Sequence, residues 1–221
     1  MYASDRTESD RKGGHLARRR SGGGLVLRET AQTASEDQAA FEDTGRHRFF
    51  NANNIWVNLR ALERTLEERD GILGLPMIVN RKTVDPTDPS SPAVVQLETA
   101  MGAAIAVFDG AAAVHVPRPR FTPVKTTSDL LVVRSDAYEL ADDWTIRLTP
   151  EREAAPLVKL SNEFKLLRDF DERFPAGAPS LRAAEQLDVE GDVRFGEGVV
   201  VRGRVRVEGP AVVPDGAVLE G

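Results

Sequence analysis

The chain has 221 residues, 41% of them hydrophobic, a formal net charge of −6 and no cysteine. That composition supports a buried core rather than global disorder, and the absence of cysteine excludes a disulfide framework, a thiol nucleophile and thiolate-bound zinc. The acidic balance argues against nucleic acid as a partner. The longest apolar stretch is far shorter than the about 20 residues that span a bilayer, and no secretory signal is visible, so a cytoplasmic protein without a membrane partner is expected.

Residues 1–14 are polar, lack a periodic apolar pattern and do not read as the start of a domain. The run SGGG at 21–24 suits a turn, and Leu25, Val26 and Leu27 read as a short strand. Ser35 followed by Gln38 is a capping-box signature and predicts a helix over 36–43. Leu59, Leu62 and Leu66 recur at helical spacing between the asparagines of 51–54 and Gly71, which predicts a second helix. MIVN at 77–80 reads as a buried strand, and the Pro- and Ser-rich stretch 85–92 as a surface loop or hairpin tip. A small-residue helix over 97–108 and a strand at 114–116 complete an α/β alternation, while LLVV at 130–133 fits either element.

The character changes after about residue 140. A connecting region, 141–186, holds the short run VKL at 158–160 and a predicted helix over 163–173, and Ser180 is placed to cap another brief helix ending near Gln186. From Leu187 the chain divides into sixes: LDVEGD, VRFGEG, VVVRGR, VRVEGP, AVVPDG, AVLEG. Apolar residues hold the first and third places of each hexad, and glycine recurs at the fifth. Two apolar side chains two apart point to the same side of a strand, and a glycine-assisted bend repeats the unit. This predicts a parallel β-helix over 187–221 with Val189, Phe195, Val201, Val207 and Val213 facing inward. The competing arrangement is a pair of valine-rich hairpins, which have no reason to hold one period over six repeats.

Few residues are dressed for chemistry. Lys125 sits between proline-stiffened segments and the cluster Thr126–Asp129, where a fixed cation suits a phosphate; an ordinary surface lysine is the plain alternative. Arg118 and Arg120 add slightly to an anion site. Asn51, Asn53 and Asn54, flanked by Phe49, Phe50 and Trp56, could bind sugar hydroxyls or cap the following helix. Glu29 and Gln32 stand at a strand end, where open α/β sheets place ligands, although a solvated strand end reads the same way. SGGG lacks the following Lys-Ser/Thr of a phosphate loop, Arg18–Arg20 read as a solvated face, and His15, His47 and His115 show no metal-ligand spacing.

RKGGHLARR from Arg11, LVLRETAQT from Leu25, FFNANNIWVNL from Phe49, LPMIVNRKTVDP from Leu75, VVQLETAMGAAI from Val94 and FTPVKTTSDL from Phe121 together resemble the C-terminal portion of the UTP–glucose-1-phosphate uridylyltransferase family. The resemblance implies a partial nucleotidyltransferase (Rossmann-like) domain over 1–140, ahead of the β-helix. It implies formation of UDP-glucose and pyrophosphate from UTP and glucose 1-phosphate, assisted by Mg²⁺. Lys125 falls on the family's active-site lysine, Glu29, Asn51 and Asn53 in blocks lining the sugar subsite, and Gly13 and Gly14 in a backbone-contact segment. Ala52 stands where the family usually has threonine. The UTP-holding glycine-rich loop and the main Mg²⁺ ligand belong to the family's N-terminal half, which these 221 residues do not match. A uridylyltransferase working with such a half, or a non-catalytic remnant acting through its β-helix as an assembly or binding module and possible homo-oligomer, are the two functions this implies.

Overall fold

The short apolar runs of the first half are each too brief to bury themselves, and in the computed structural model, which describes residues 1–221, they zip into one sheet. Its strands are β1 (Tyr2–Asp5), β2 (His15–Arg18), β3 (Leu25–Arg28), β4 (Phe49–Asn51) and β7 (Val114–His115), in the order β3-β2-β4-β1-β7. The β1–β7 pair is parallel and the other pairs are antiparallel. Residues 2–5, which in sequence do not read as the start of a domain, are therefore an internal strand of this sheet. Ala3 and Ser4 are both buried, so the strand is covered on both faces and carries no polar–apolar alternation to read.

Between those strands lie α1 (Gln38–Glu42), α2 (Leu59–Glu68), and the hairpin β5 (Met77–Thr83) and β6 (Ala93–Thr99). Helix α1 forms inside the predicted span, but a 3₁₀ turn over Ser35–Asp37 leads into it and Ser35 makes no cap. Helix α2 forms as expected, capped by Asn58, whose side chain accepts from the backbone N–H groups of Arg60 and Ala61 at 3.1 and 3.3 Å. Residues 85–92 are the hairpin tip. MIVN is a strand but not a buried one, since β5 alternates exposed and half-buried residues. The small-residue helix over 97–108 is replaced by β6 and a 3₁₀ turn, Met101–Ala106. The small residues serve close approach instead: a Cβ on Gly102 would stand 2.5 Å from Leu27 of β3.

The compact units of the chain are Met1–Phe121 and Thr122–Gly221. The division precedes residue 140 because Leu131 and Val132 of α3 (Thr127–Arg134), together with Ala137, pack into the core of the second unit. LLVV is thus helical. The unit continues with the hairpin β8 (Tyr138–Leu140) and β9 (Ile146–Leu148), then β10 (Leu157–Leu160) and α4 (Leu167–Arg173). Strands β11 (Ser180–Glu190), β12 (Val193–Phe195), β13 (Val200–Glu208), β14 (Ala211–Val213) and β15 (Val218–Glu220) follow.

Two parallel ladders run through the hexads, β10-β11-β13-β15 and β12-β14. Leu187 pairs with Val205, Val193 with Ala211 and Val200 with Val218, so partners lie three hexads apart. Val189, Phe195, Val201 and Val213 are buried as expected, and Val207 is half-buried against them. The expected brief helix after Ser180 is instead the start of β11. Asp136 claims that start: its carboxylate accepts from Ser180 Oγ at 2.7 Å and from the backbone N–H groups of Leu181 and Arg182 at 2.8 and 3.1 Å. A chain of rings, Phe164, Phe174 and Phe195 with Phe170 against Phe174, joins the helical segment to the first hexads. No helix is long and apolar enough to cross a membrane.

Candidate functional site

Of the six residues that the family resemblance assigns to the site, five belong to the first unit, and its sheet gathers them at one end. The start of β2, the end of β3 and the end of β4 lie together because the three strands pair antiparallel. Gly13 and Gly14 lead into β2: the Gly13 N–H donates to the Asp10 carbonyl at 2.8 Å, and the Gly14 carbonyl accepts from the Asn51 N–H at 3.0 Å. Glu29 follows β3 and brings its carboxylate against the Gly14 backbone, where a Cβ would stand 2.5 and 2.6 Å from the two oxygens. A Cβ on Gly13 would meet the Phe50 ring at 2.0 Å. Both glycines are required by close approach, one to a carboxylate and one to a buried aromatic ring. The Glu29 carbonyl is held from below by the Thr33 hydroxyl at 2.9 Å and the Gln32 N–H at 3.0 Å.

At the end of β4 the Asn51 side-chain oxygen accepts from the Asn53 N–H at 2.9 Å, and Asn53 takes a φ of 54°. Asparagine tolerates this left-handed conformation and builds such turns from its own side chain. Asn54 donates from its side chain to the Ala52 carbonyl at 2.9 Å. The cluster is therefore a tight turn and not a helix cap, that task falling to Asn58. The Asn51 amide nitrogen faces Gly102, 3.2 Å from where a Cβ would lie.

Lys125 belongs to the second unit. It is exposed, one residue ahead of Thr126, the N-cap of α3. The backbone N–H groups of Lys125 and Thr126 both donate to the Asp129 carboxylate, at 3.0 and 2.8 Å, and the Asp129 N–H returns to Thr126 Oγ at 3.3 Å. This capping box fixes the backbone that carries the lysine. Arg118 is not available for an anion: it donates to the buried Asp10 carboxylate at 2.8 Å and to the Asp5 carbonyl at 3.2 Å. Arg120 is exposed.

Sequence reading passed over a polar core on the other side of β2. His15 is fully buried, stacked on His47 with ring centroids 4.1 Å apart and packed on Phe41 at 4.5 Å. Arg6, also buried, donates to the carbonyls of Phe41 and His47 at 3.1 Å each and lies 3.4 Å from His15 Nδ1. Burial, reinforced by the charges of His47, Arg6 and Arg28, pushes His15 down from 6.5 to about 3. His47 is lowered for the same first reason. The only signal in the sequence was an arginine and a histidine inside segments otherwise destined for the sheet.

A cleft of about 730 Å³ opens over the same sheet, lined in part by Leu16, Arg18, Phe49, Ile105 and His115. It holds none of Gly13, Gly14, Glu29, Asn51 and Asn53, which lie at the opposite end of β2. No three of the His, Asp and Glu side chains converge as metal ligands, so these residues do not by themselves form a cage for Mg²⁺.

The UTP–glucose-1-phosphate uridylyltransferase family model matches residues 1–202. The chain belongs to that family. It is 42% identical over 226 residues to the UTP–glucose-1-phosphate uridylyltransferase of Hordeum vulgare, with 100% of the chain and 46% of that relative aligned. The Encephalitozoon cuniculi relative is 39% identical, with 44% of its length covered. Among solved structures, the Trypanosoma brucei UDP-glucose phosphorylase superposes with a TM-score of 0.89 at 46% identity, the chain being covered completely and that protein to 48%. The Leishmania major UDP-glucose pyrophosphorylase, described in open and closed forms, gives 0.85 at 44% identity and 50% coverage. This uridylyltransferase-family chain thus spans about half the length of the relatives it matches, corresponding to their C-terminal half.

Proposed function

We propose that the chain forms the sugar-phosphate side of a UTP–glucose-1-phosphate uridylyltransferase and works with an N-terminal half of the kind its relatives carry. The observation that carries this reading is the convergence of Gly14, Glu29 and Asn51 at one sheet end in a chain matched by the family model. A carboxylate accepts from sugar hydroxyls, and asparagine amides both donate and accept. The lack of a Cβ at Gly14 lets the Glu29 carboxylate sit against this backbone, next to Asn51. In the reaction, a phosphate oxygen of glucose 1-phosphate bonds to the α-phosphorus of UTP. The bond from that phosphorus to the bridging oxygen breaks, and its electron pair leaves with pyrophosphate. Phosphoryl transfer of this kind needs positioning and cations more than a nucleophilic side chain. Lys125 supplies a compact cation on a fixed loop. Mg²⁺ would neutralise phosphate charge, and the residues here do not by themselves cage it.

The same reading takes the parallel ladders as coils of a β-helix with three hexads per turn, and the enzyme as cytoplasmic. One observation favours a second role in assembly: β15 is the edge of its ladder, paired on one side only, and such edges recruit further strands.

The test is a fusion of the barley relative's N-terminal half ahead of this chain, assayed for UDP-glucose from UTP and glucose 1-phosphate. Turnover is expected, falling about 10²–10³-fold, roughly 3–4 kcal/mol, in Lys125→Ala. Lys125→Arg should rescue it only in part, because a planar fork does not replace an ammonium. Unchanged turnover in the alanine variant removes Lys125 from the reaction.

A further inference from the structure

The hairpin β5–β6 is a two-stranded sheet with no third strand. Its register pairs Met77 with Thr99, Val79 with Leu97 and Arg81 with Val95. Side chains alternate between faces along a strand, so Met77, Val79, Leu97 and Val95 share one face. The other face carries Ile78, Asn80 and Glu98, where Asn80 Nδ2 donates to Glu98 at 2.6 Å. The apolar face is open, with Met77 62% exposed, Val79 52%, Val95 53% and Leu97 61%, and β6 is exposed along its whole length. A hairpin that leaves four adjacent large apolar side chains in water is built to be covered, because an isolated two-stranded sheet is marginal in water and such patches mark interfaces. Register makes this arrangement definite, since a slip by one residue would exchange the faces.

We infer that this face is the docking surface for the N-terminal half of a uridylyltransferase catalytic domain. That inference rests on the function proposed above. The occupant follows from length: the chain accounts for 46% of the barley relative and 44–50% of others, aligned on their C-terminal half, so a comparable length of polypeptide remains to cover what is open here. Helix α2 points the same way, since none of its residues is buried and Leu59 is exposed.

The experiment compares Leu97→Asp in the chain alone and in the fusion to the barley N-terminal half, by thermal melting, with light scattering of the chain alone. In the chain alone the midpoint should barely move, because the side chain is already in water. In the fusion it should fall by several degrees, as a carboxylate is forced into an apolar contact. Equal small shifts in both contexts overturn the inference. So does a fusion that does not fold, or a dimer of the chain alone that Leu97→Asp dissociates, which would make a second copy the occupant. UDP-glucose formation by the fusion is read separately. An active fusion with a silent Leu97→Asp sinks the surface and leaves the function, whereas an inactive fusion destabilised by Leu97→Asp does the reverse.

Discussion

Gly13 and Gly14 are neighbours with different obligations, and alanine at each separates them. At Gly14 the added methyl group would press on the Glu29 carboxylate, the far end of a flexible side chain that can swing aside. Gly14→Ala should therefore fold and melt much like the parent. The displaced carboxylate would instead be read as a raised KM for glucose 1-phosphate in the fusion, about tenfold for one misplaced charged hydrogen bond of roughly 1.5 kcal/mol. At Gly13 the methyl group would meet the Phe50 ring, which is 2% exposed and has nowhere to go. Gly13→Ala should cost about 1–3 kcal/mol by overpacking, seen as a lowered urea midpoint. If Gly14→Ala leaves KM unchanged, Glu29 does not touch the sugar. His15 offers a test in pH. Its ring is neutral when folded down to about 3, against an ordinary 6.5. Above 6.5 neither state binds the proton and the fold has its full stability. Between 6.5 and about 3 the unfolded chain takes up a proton that the folded chain refuses, so stability falls on acidification, by up to about 1.4 kcal/mol per pH unit. Urea unfolding at pH 7.5 and 5.5 should show this loss, and His15→Leu should reduce it, leaving the share that His47, lowered in the same direction, contributes. An equal slope in the variant would mean that another group carries the linkage.

At the scale of elements, the hexads show what a period can do. Two apolar places in six were enough to locate the inward residues, and Val201 of β13 is fully buried. Val201→Asp should bury an unpaired carboxylate at a cost of several kcal/mol, and a variant that melts like the parent would place Val201 on the outside. Sequence reading failed where a long-range partner outweighed a local signal. Ser180 is a good cap in isolation, but Asp136 and the β13 ladder draw it into a strand. The alanines of 103–106 favour a helix on propensity, yet β6 runs straight into a 3₁₀ turn pressed against Leu27. Residues 2–5 are too few, and too evenly covered, to leave any pattern. The candidate site was legible only through motif resemblance: three asparagines and a glutamate read equally well as a helix cap and a solvated strand end. The structure itself uses Asn51 and Asn53 as a turn, so whatever they do for a sugar is done from that turn.

In the reading proposed above, the chain offers one end of a sheet to a sugar phosphate, a lysine on a braced loop, and an apolar hairpin face in water. None of these is a phosphate loop. The glycine run at 21–24 is a β-turn segment, with Gly22 and Gly23 at φ of 84° and 67°, and it opens a strand instead of the helix that a phosphate loop requires. Holding two substrates in register can supply about 7–11 kcal/mol of a bimolecular barrier, and in the reading proposed above this chain has a site for one. The purified chain is therefore expected to be inert with UTP, glucose 1-phosphate and Mg²⁺, and to gain activity when mixed or co-expressed with the N-terminal half of a relative. Glucose 1-phosphate alone should bind it weakly, in the millimolar range, since the few hydrogen bonds offered must offset the freedom lost by the ligand. Calorimetry with glucose 1-phosphate and a pyrophosphate-release assay check the two statements separately. Pyrophosphate release by the isolated chain that disappears in Lys125→Ala would show that these 221 residues already hold a nucleotide site, and that the division of labour argued here is wrong.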